Sequence, residues 1–328
     1  MMHHTTNTNL IVSNVIVQKG SGNTTLHIAA QNDDTVQIQQ LLTKCPDLNL
    51  EVANLDGKTA LHEAAQHGQL KAIKLLLDAG CRVDSLKRSD WSPLMLATSK
   101  DNLDVIRYLI EVGNANINLR NKDGWTPFHI AARKGNAAIT SYFMSKFGSD
   151  IAHTESKTKR TPLHTAALHG HIDIIKLIVS KDNNDNASVL VNCKDSCGTT
   201  PLMDAVRSMS LTACKLLIEI GADCFHTDQM GRNVLHVAAE CNNIEAVDFF
   251  VNRMNFDRDI RDAMNGSTCL HIAAREGHEK MTNFLLNQLQ VDCSVQDRKG
   301  RLPVEIAKLH KRINIFNALN NMEEQVSQ

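Results

Sequence analysis

Apolar positions along the chain recur in a short phrase that opens on polar residues and closes on paired small ones. NTTLHIAA from Asn23 returns as KTALHEAA from Lys58, WSPLMLAT from Trp91, WTPFHIAA from Trp125 and RTPLHTAA from Arg160. It continues as TTPLMDAV from Thr199, RNVLHVAA from Arg232, STCLHIAA from Ser267 and RLPVEIAK from Arg301. Equivalent second positions lie 35, 33, 34, 35, 39, 33, 35 and 34 residues apart. Each phrase predicts a short helix, opened by a Thr that accepts from free backbone N–H groups and a Pro with preset φ. Apolar residues at helical spacing follow, as in IKLLLDAG and VIRYLIEVG, and predict a second helix. Gly68, Gly135, Gly170 and Gly277 fall between the two, where a left-handed residue ends the first helix. One helix pair cannot bury its apolar face alone, so the pattern predicts a stack, with the Leu and paired Ala facing the neighbouring unit.

A period near 33 residues and the motif T-P-L-H-x-A agree independently, and together they resemble the ankyrin repeat. The resemblance implies an all-α ankyrin-repeat solenoid of about nine helix-turn-helix repeats, joined by hairpin-like finger turns, over residues 21–320. Residues 1–20 are then an N-terminal segment or cap, and residues 321–328 a flexible tail. The 39-residue gap matches the polar insertion SKDNNDNASVLVN, which reads as a loop. The last repeat, with Lys308, His310, Lys311 and Arg312, reads as a cap with a polar outer face.

Composition narrows the function classes. With 42% apolar and 22% charged residues the chain reads as ordered and globular. No apolar run approaches the ~20 residues of a membrane-spanning helix. The first residues lack the basic start and apolar stretch of a signal peptide. Nine scattered cysteines suit reduced thiols, which points to the cytoplasm with the nucleus also open. No nucleophile elbow, His-Glu-x-x-His or paired-carboxylate pattern occurs, so no enzyme and no cofactor are expected. His27, His62, His129, His164, His236 and His271 share one motif position, one per repeat. That spread suits local bonding to the Thr and the turn backbone better than a metal site, and Met95 and Met203 replace the ring in two repeats. Cys193, Cys197 and His226 lack a fourth partner at zinc spacing, so no metal is expected.

The residue before the motif Thr is expected at the finger base, free of stacking duties. That row reads Asn23, Lys58, Trp91, Trp125, Arg160, Thr199, Arg232, Ser267 and Arg301, and it contains both tryptophans of a chain with 4% aromatics. Large aromatics with arginine nearby have the composition of an interface hot spot. The adjoining turns, SLKRSDW, NLRNKDGW and HTESKTKRTP, are basic. Residues 82–181 hold 15 Lys plus Arg against 9 Asp plus Glu, a difference of +6 in a chain of net charge −1. The expected partner-binding set is Lys58, Lys87, Arg88, Trp91, Arg120, Lys122, Trp125, Lys157 and Arg160. It suits an acidic protein surface or an RNA backbone. A charge of +6 with only two large aromatics is modest for RNA, so direct nucleic-acid binding is disfavoured, and a monomer is expected.

Between Ser89 and His171, the phrases SDWSPLM, NKDGWTPFHIAARKG and HTESKTKRTPLHTAALHGH resemble one group of animal ankyrin-repeat proteins in the finger turns as well as the stacking residues. That resemblance implies a co-regulator of alanyl-tRNA synthetase, acting in translation fidelity. Such a protein binds the synthetase and limits serine mischarging by accepting misactivated serine on lysine side chains. Among the implied acceptor positions Lys122 is retained. Arg88 stands at a second, with Lys87 adjacent, and His153 at a third, with Lys157 four residues on. Arginine stays protonated and is a poor acyl acceptor.

Overall fold

A computed structural model describes residues 20–180 and 187–326, and the N-terminal segment expected as a cap lies outside the described residues but for Gly20. The chain divides into two compact units, residues 1–157 and 158–328, with the division falling in a finger turn. A repeat array holds mostly neighbour-to-neighbour contacts, so a cut between repeats breaks few of them.

The first unit contains four helix pairs: Thr25–Gln31 with Thr35–Lys44, Ala60–His67 with Leu70–Asp78, Pro93–Ser99 with Leu103–Glu111, and Pro127–Lys134 with Ala137–Phe147. The second contains five: Pro162–Leu168 with Ile172–Ser180, Pro201–Arg207 with Leu211–Glu219, Val234–Glu240 with Ile244–Asn252, Cys269–Glu276 with Glu279–Asn287, and Pro303–Leu309 with Ile313–Val326. Among the described residues the elements are helical, with one isolated antiparallel bridge between Lys87 and Trp91.

The helix starts follow from the motif. Thr126 caps its helix by accepting from the His129 N–H, while Nδ1 of His129 accepts from the Thr126 N–H at 3.3 Å. Thr24, Thr59, Thr161 and Thr268 form the same reciprocal box with His27, His62, His164 and His271. An imidazole thus stands where glutamate closes the usual capping box. In the last repeat the histidine is replaced by Glu305, which accepts from the Leu302 N–H at 2.8 Å.

The motif Leu and paired Ala are buried, as in Leu61 with Ala64 and Ala65, and Leu163 with Ala166 and Ala167. Small side chains there let successive first helices approach closely. Gly68, Gly135 and Gly277 cap their helices with positive φ, and Gly170 lies one residue beyond its cap at φ +66. The equivalent residue in the other repeats is Asp33, Asp101, Met209, Asn242 or Lys311, each also at positive φ.

Three expectations change. The insertion read as a loop contains a helical turn, Ala187–Val191, because Leu190 and Val191 bury fully. The stretch read as a flexible tail continues the last helix to Val326, since Met-Glu-Glu-Gln are all good helix formers. The last repeat is less polar outside than its basic residues suggest, with Leu309 62% and Ile313 70% exposed.

Candidate protein-binding surface

Most of the described fingers are tight hairpins built around an Asx side chain, with Lys87 and Ser156 at that place in the third and fifth. In the fourth repeat the Asn121 N–H donates to the Trp125 carbonyl at 3.0 Å, and its Oδ1 accepts from the N–H groups of Asp123 and Trp125. Asn54, Asp195, Asp228 and Asp297 make the same pair of bonds in their own fingers. A short polar side chain that holds two backbone donors makes a turn of this kind self-supporting. Gly124 supplies the required positive φ of 79°, and a Cβ there would stand 2.5 Å from the Lys157 nitrogen. The third repeat has no glycine at this place, and Ser89 and Asp90 take φ of 65° and 60° instead.

Successive fingers bond edge to edge. Within the first unit, Lys122 N–H donates to the Ser89 carbonyl and Lys157 N–H to the Asp123 carbonyl, both at 3.0 Å. The motif histidines add a second tie that sequence reasoning missed. Besides bonding the local Thr, Nε2 of His27 reaches the Lys58 carbonyl at 2.8 Å and Nε2 of His62 the Trp91 carbonyl at 3.1 Å. The second unit repeats this with His164 and Thr199, His236 and Ser267, and His271 and Arg301. A carbonyl only accepts, so in these rings Nε2 carries the proton and Nδ1 accepts from the Thr or Asn N–H. Burial pushes the pKa of His27, His236 and His271 down and that of His62 to about 4. These rings are neutral joints between repeats. Among the described residues no group of three or more His, Cys, Asp or Glu is placed to hold a metal ion.

The structure separates the expected binding set into two kinds. Trp91 and Trp125 are half-buried at their finger bases. Nζ of Lys87 lies 5.7 Å from the Trp91 ring centre, and Cζ of Arg133 lies 5.3 Å from that of Trp125. His129 stacks below Trp125 with ring centres 6.4 Å apart. Arg88, Arg120, Lys122 and Lys157 are exposed. Arg120 reaches across to the Gly124 and Glu155 carbonyls, and the Lys157 stem lies over Gly124. Lys87 is half-buried, and its pKa is pushed down first by desolvation and then by the charge of Lys58.

Lys58 and Arg160 are already ion-paired within the fold. Lys58 is held 3.2 Å from the buried carboxylate of Glu63. Arg160 belongs to the second unit, where it joins Asp195 at 3.0 Å and the buried Asp204. Arg232 with Asp228 and Arg301 with Asp297 follow the same plan, while Asn23, Thr199 and Ser267 are buried. Outside the tryptophans, then, the finger-base row serves the fold. The physical reason is the pair of acids at the x slot of the motif, Glu63 in LHEAA and Asp204 in LMDAV, together with the Asx residues below the fingers. Burial raises Asp204 to about 6 even though Arg160 and Arg207 pull it down, and a carboxylate so placed needs a guanidinium beside it.

A family model described as ankyrin repeats (three copies) matches overlapping segments that together run from residue 3 to residue 327. The chain belongs to the ankyrin-repeat family. Its repeats make it a protein of protein–protein interaction. The chain is similar to tyrosine-protein kinase Shark of Drosophila melanogaster, 38% identical over 132 residues, which are 40% of this chain and 14% of the kinase. It is also similar to the B-cell lymphoma 3 protein homolog of Mus musculus, 33% identical over 117 residues, covering 35% of this chain and 26% of that protein. A third ankyrin match is the nuclear factor NF-kappa-B p105 subunit of Gallus gallus, 31% identical over 125 residues, 38% of this chain and 13% of that one. The chain therefore spans only an eighth to a quarter of these relatives. Among the described residues no helix is long and apolar enough to cross a membrane.

Proposed function

We propose that this ankyrin chain is a non-enzymatic binding protein whose first unit docks alanyl-tRNA synthetase through Trp91, Trp125 and the cations around them. The observation that carries the docking surface is the pairing of two half-exposed tryptophans at equivalent finger bases with exposed Arg88, Arg120, Lys122 and Lys157 on the adjoining turns. Aromatics under cations favour an acidic partner surface. The synthetase as that partner is supported by the resemblance of SDWSPLM, NKDGWTPFHIAARKG and HTESKTKRTPLHTAALHGH to ankyrin repeat domain-containing protein 16 of animals. This reading puts the protein in the cytoplasm, with the nucleus also open to it, as a monomer without a cofactor.

The capture chemistry needs only an amine. In a seryl adenylate the lysine nitrogen attacks the carbonyl carbon, the bond from that carbon to the phosphate oxygen breaks, AMP leaves, and the amine proton passes to solvent. An ordinary lysine is neutral in only about one molecule in a few thousand at pH 7. The half-buried Lys87, with its pKa pushed down, offers more neutral amine than an ordinary lysine. Lys87 stands beside Lys122 and Lys157 as an acceptor to test. The test is to incubate the protein with the synthetase, serine and ATP and to map adducts by mass spectrometry. A seryl amide on Lys87, lost in Lys87→Arg, supports capture. Binding without any lysine adduct sinks it and leaves the alternative, a scaffold for an acidic partner, which tolerates Lys122→Arg as well.

A further inference from the structure

The finger tips of the second unit differ in chemistry from those of the first. Met230 and Met264 stand at successive tips, 38% and 54% exposed, joined by the Met264 N–H donating to the Met230 carbonyl at 3.2 Å. Solvent-exposed methionines on a held backbone form an adaptable apolar contact rather than core. Beside them Gly266 is overlaid by two arginines. A methyl group in place of its hydrogen would lie 2.7 Å from Nη2 of Arg261 and 3.0 Å from Cγ of Arg298. Arg261 is anchored by its Nε donating to the Gly266 carbonyl at 3.1 Å, and the next finger is tied in by the Arg298 N–H on the Asn265 carbonyl.

Both arginines are exposed, and neither forms an ion pair among the described residues. The carboxylates nearest in the chain are committed elsewhere. Asp262 accepts from the N–H groups of Asn265 and Ser267 through its two oxygens, and Asp297 holds Arg301 at 2.7 Å. The guanidinium of Arg261 and the stem of Arg298 meet over Gly266, and two exposed arginines without an ion pair among the described residues, next to an apolar pair, complement a carboxylate followed by an apolar side chain.

We propose that the Met230–Met264 tips and the Arg261–Arg298 pair form a second docking site, which takes an extended acidic peptide segment carrying a large apolar residue near its carboxylate. The arginines hold the carboxylate in forked hydrogen bonds, and the methionines cover the apolar side chain. This site lies within the second unit and is independent of the tryptophan surface.

The test is a selection of random dodecapeptides displayed on phage against the full chain, counter-selected on the Arg261→Glu/Arg298→Glu variant. The expected winners are net acidic with a large apolar residue close to Asp or Glu. A synthetic winner should bind the wild type with salt-sensitive affinity, lose about tenfold or more on Arg261→Glu/Arg298→Glu, and lose about threefold on Met230→Ser/Met264→Ser. All these positions are exposed or half-exposed, and matching thermal unfolding of variant and wild type shows that the fold is intact. Winners without acidic bias, a preference for basic peptides, or equal affinity for the variants would each overturn the proposal.

Discussion

Acidification should loosen the joints between repeats, and His62 gives the clearest case. Its Nδ1 accepts from the Thr59 N–H at 3.2 Å and lies 2.9 Å from the Thr59 hydroxyl, while Nε2 donates to the Trp91 carbonyl. A second proton on Nδ1 would face an N–H donor inside a buried site. Burial holds the folded pKa at about 4, whereas the unfolded ring has its ordinary value of 6.5. Between these values the unfolded chain binds more protons than the folded one. Stability present above pH 6.5 is therefore lost as the pH falls toward 4. At about pH 4.5 the loss from this ring alone is about 2.5 kcal/mol. His27, His236 and His271 are shifted in the same direction and add to it. Asp204, raised to about 6, works the other way, because its folded form takes up a proton first. Urea unfolding of wild type and His62→Gln at pH 7 and about pH 4.5 separates these contributions. The variant is weaker at pH 7 and should lose about 2.5 kcal/mol less than the wild type on acidification. A His62 ring that titrates near 6.5 by proton NMR, or equal acid losses in both proteins, would refute the neutral-joint account.

Three substitutions test the fingers and helix ends. Gly124→Ala puts a methyl group 2.5 Å from the Lys157 nitrogen at a φ of 79° and should cost about 2–3 kcal/mol in urea unfolding of the chain. Arg160→Ala leaves the buried Asp204 with Arg207 alone, 3.4 Å away, and should cost about 2–3 kcal/mol without altering partner affinity measured at the tryptophan surface. Met209→Gly relieves a left-handed residue at φ 59° whose side chain is 55% exposed and should raise stability by about 1 kcal/mol, read as a higher melting temperature.

Much of the fold was legible because the repeat phrase encodes local chemistry. Thr and Pro start helices, paired alanines permit close stacking, and Gly68, Gly135 and Gly277 end helices in the left-handed region. The hidden part was the traffic between repeats. Sequence shows a histidine three residues after most of the capping Thr residues, but not that Nε2 reaches a carbonyl about thirty residues on in the chain. Nor does it show that Lys58 and Arg160 are held by Glu63 and Asp204. One signal was available: an acid at the motif's x slot, normally Ile, Val or Leu, needs a cation, and the finger-base row supplies it. The recurring Asn or Asp four residues before the finger base was a second signal, readable as an Asx turn. The tryptophans stood out because no such partner logic requires an indole at that place. The insertion and the tail failed for a simpler reason, since a few apolar or helix-forming residues within a polar stretch were enough to make a helical turn.

The most direct measurement of the docking account is calorimetric titration of purified alanyl-tRNA synthetase with the wild-type chain and with Trp91→Ala/Trp125→Ala. The account predicts saturable binding by the wild type and a loss of about thirtyfold or more in the variant, as for two hot-spot aromatics, with unfolding of the free protein little changed. Absence of binding by the wild type, or equal affinity for both proteins, would contradict it.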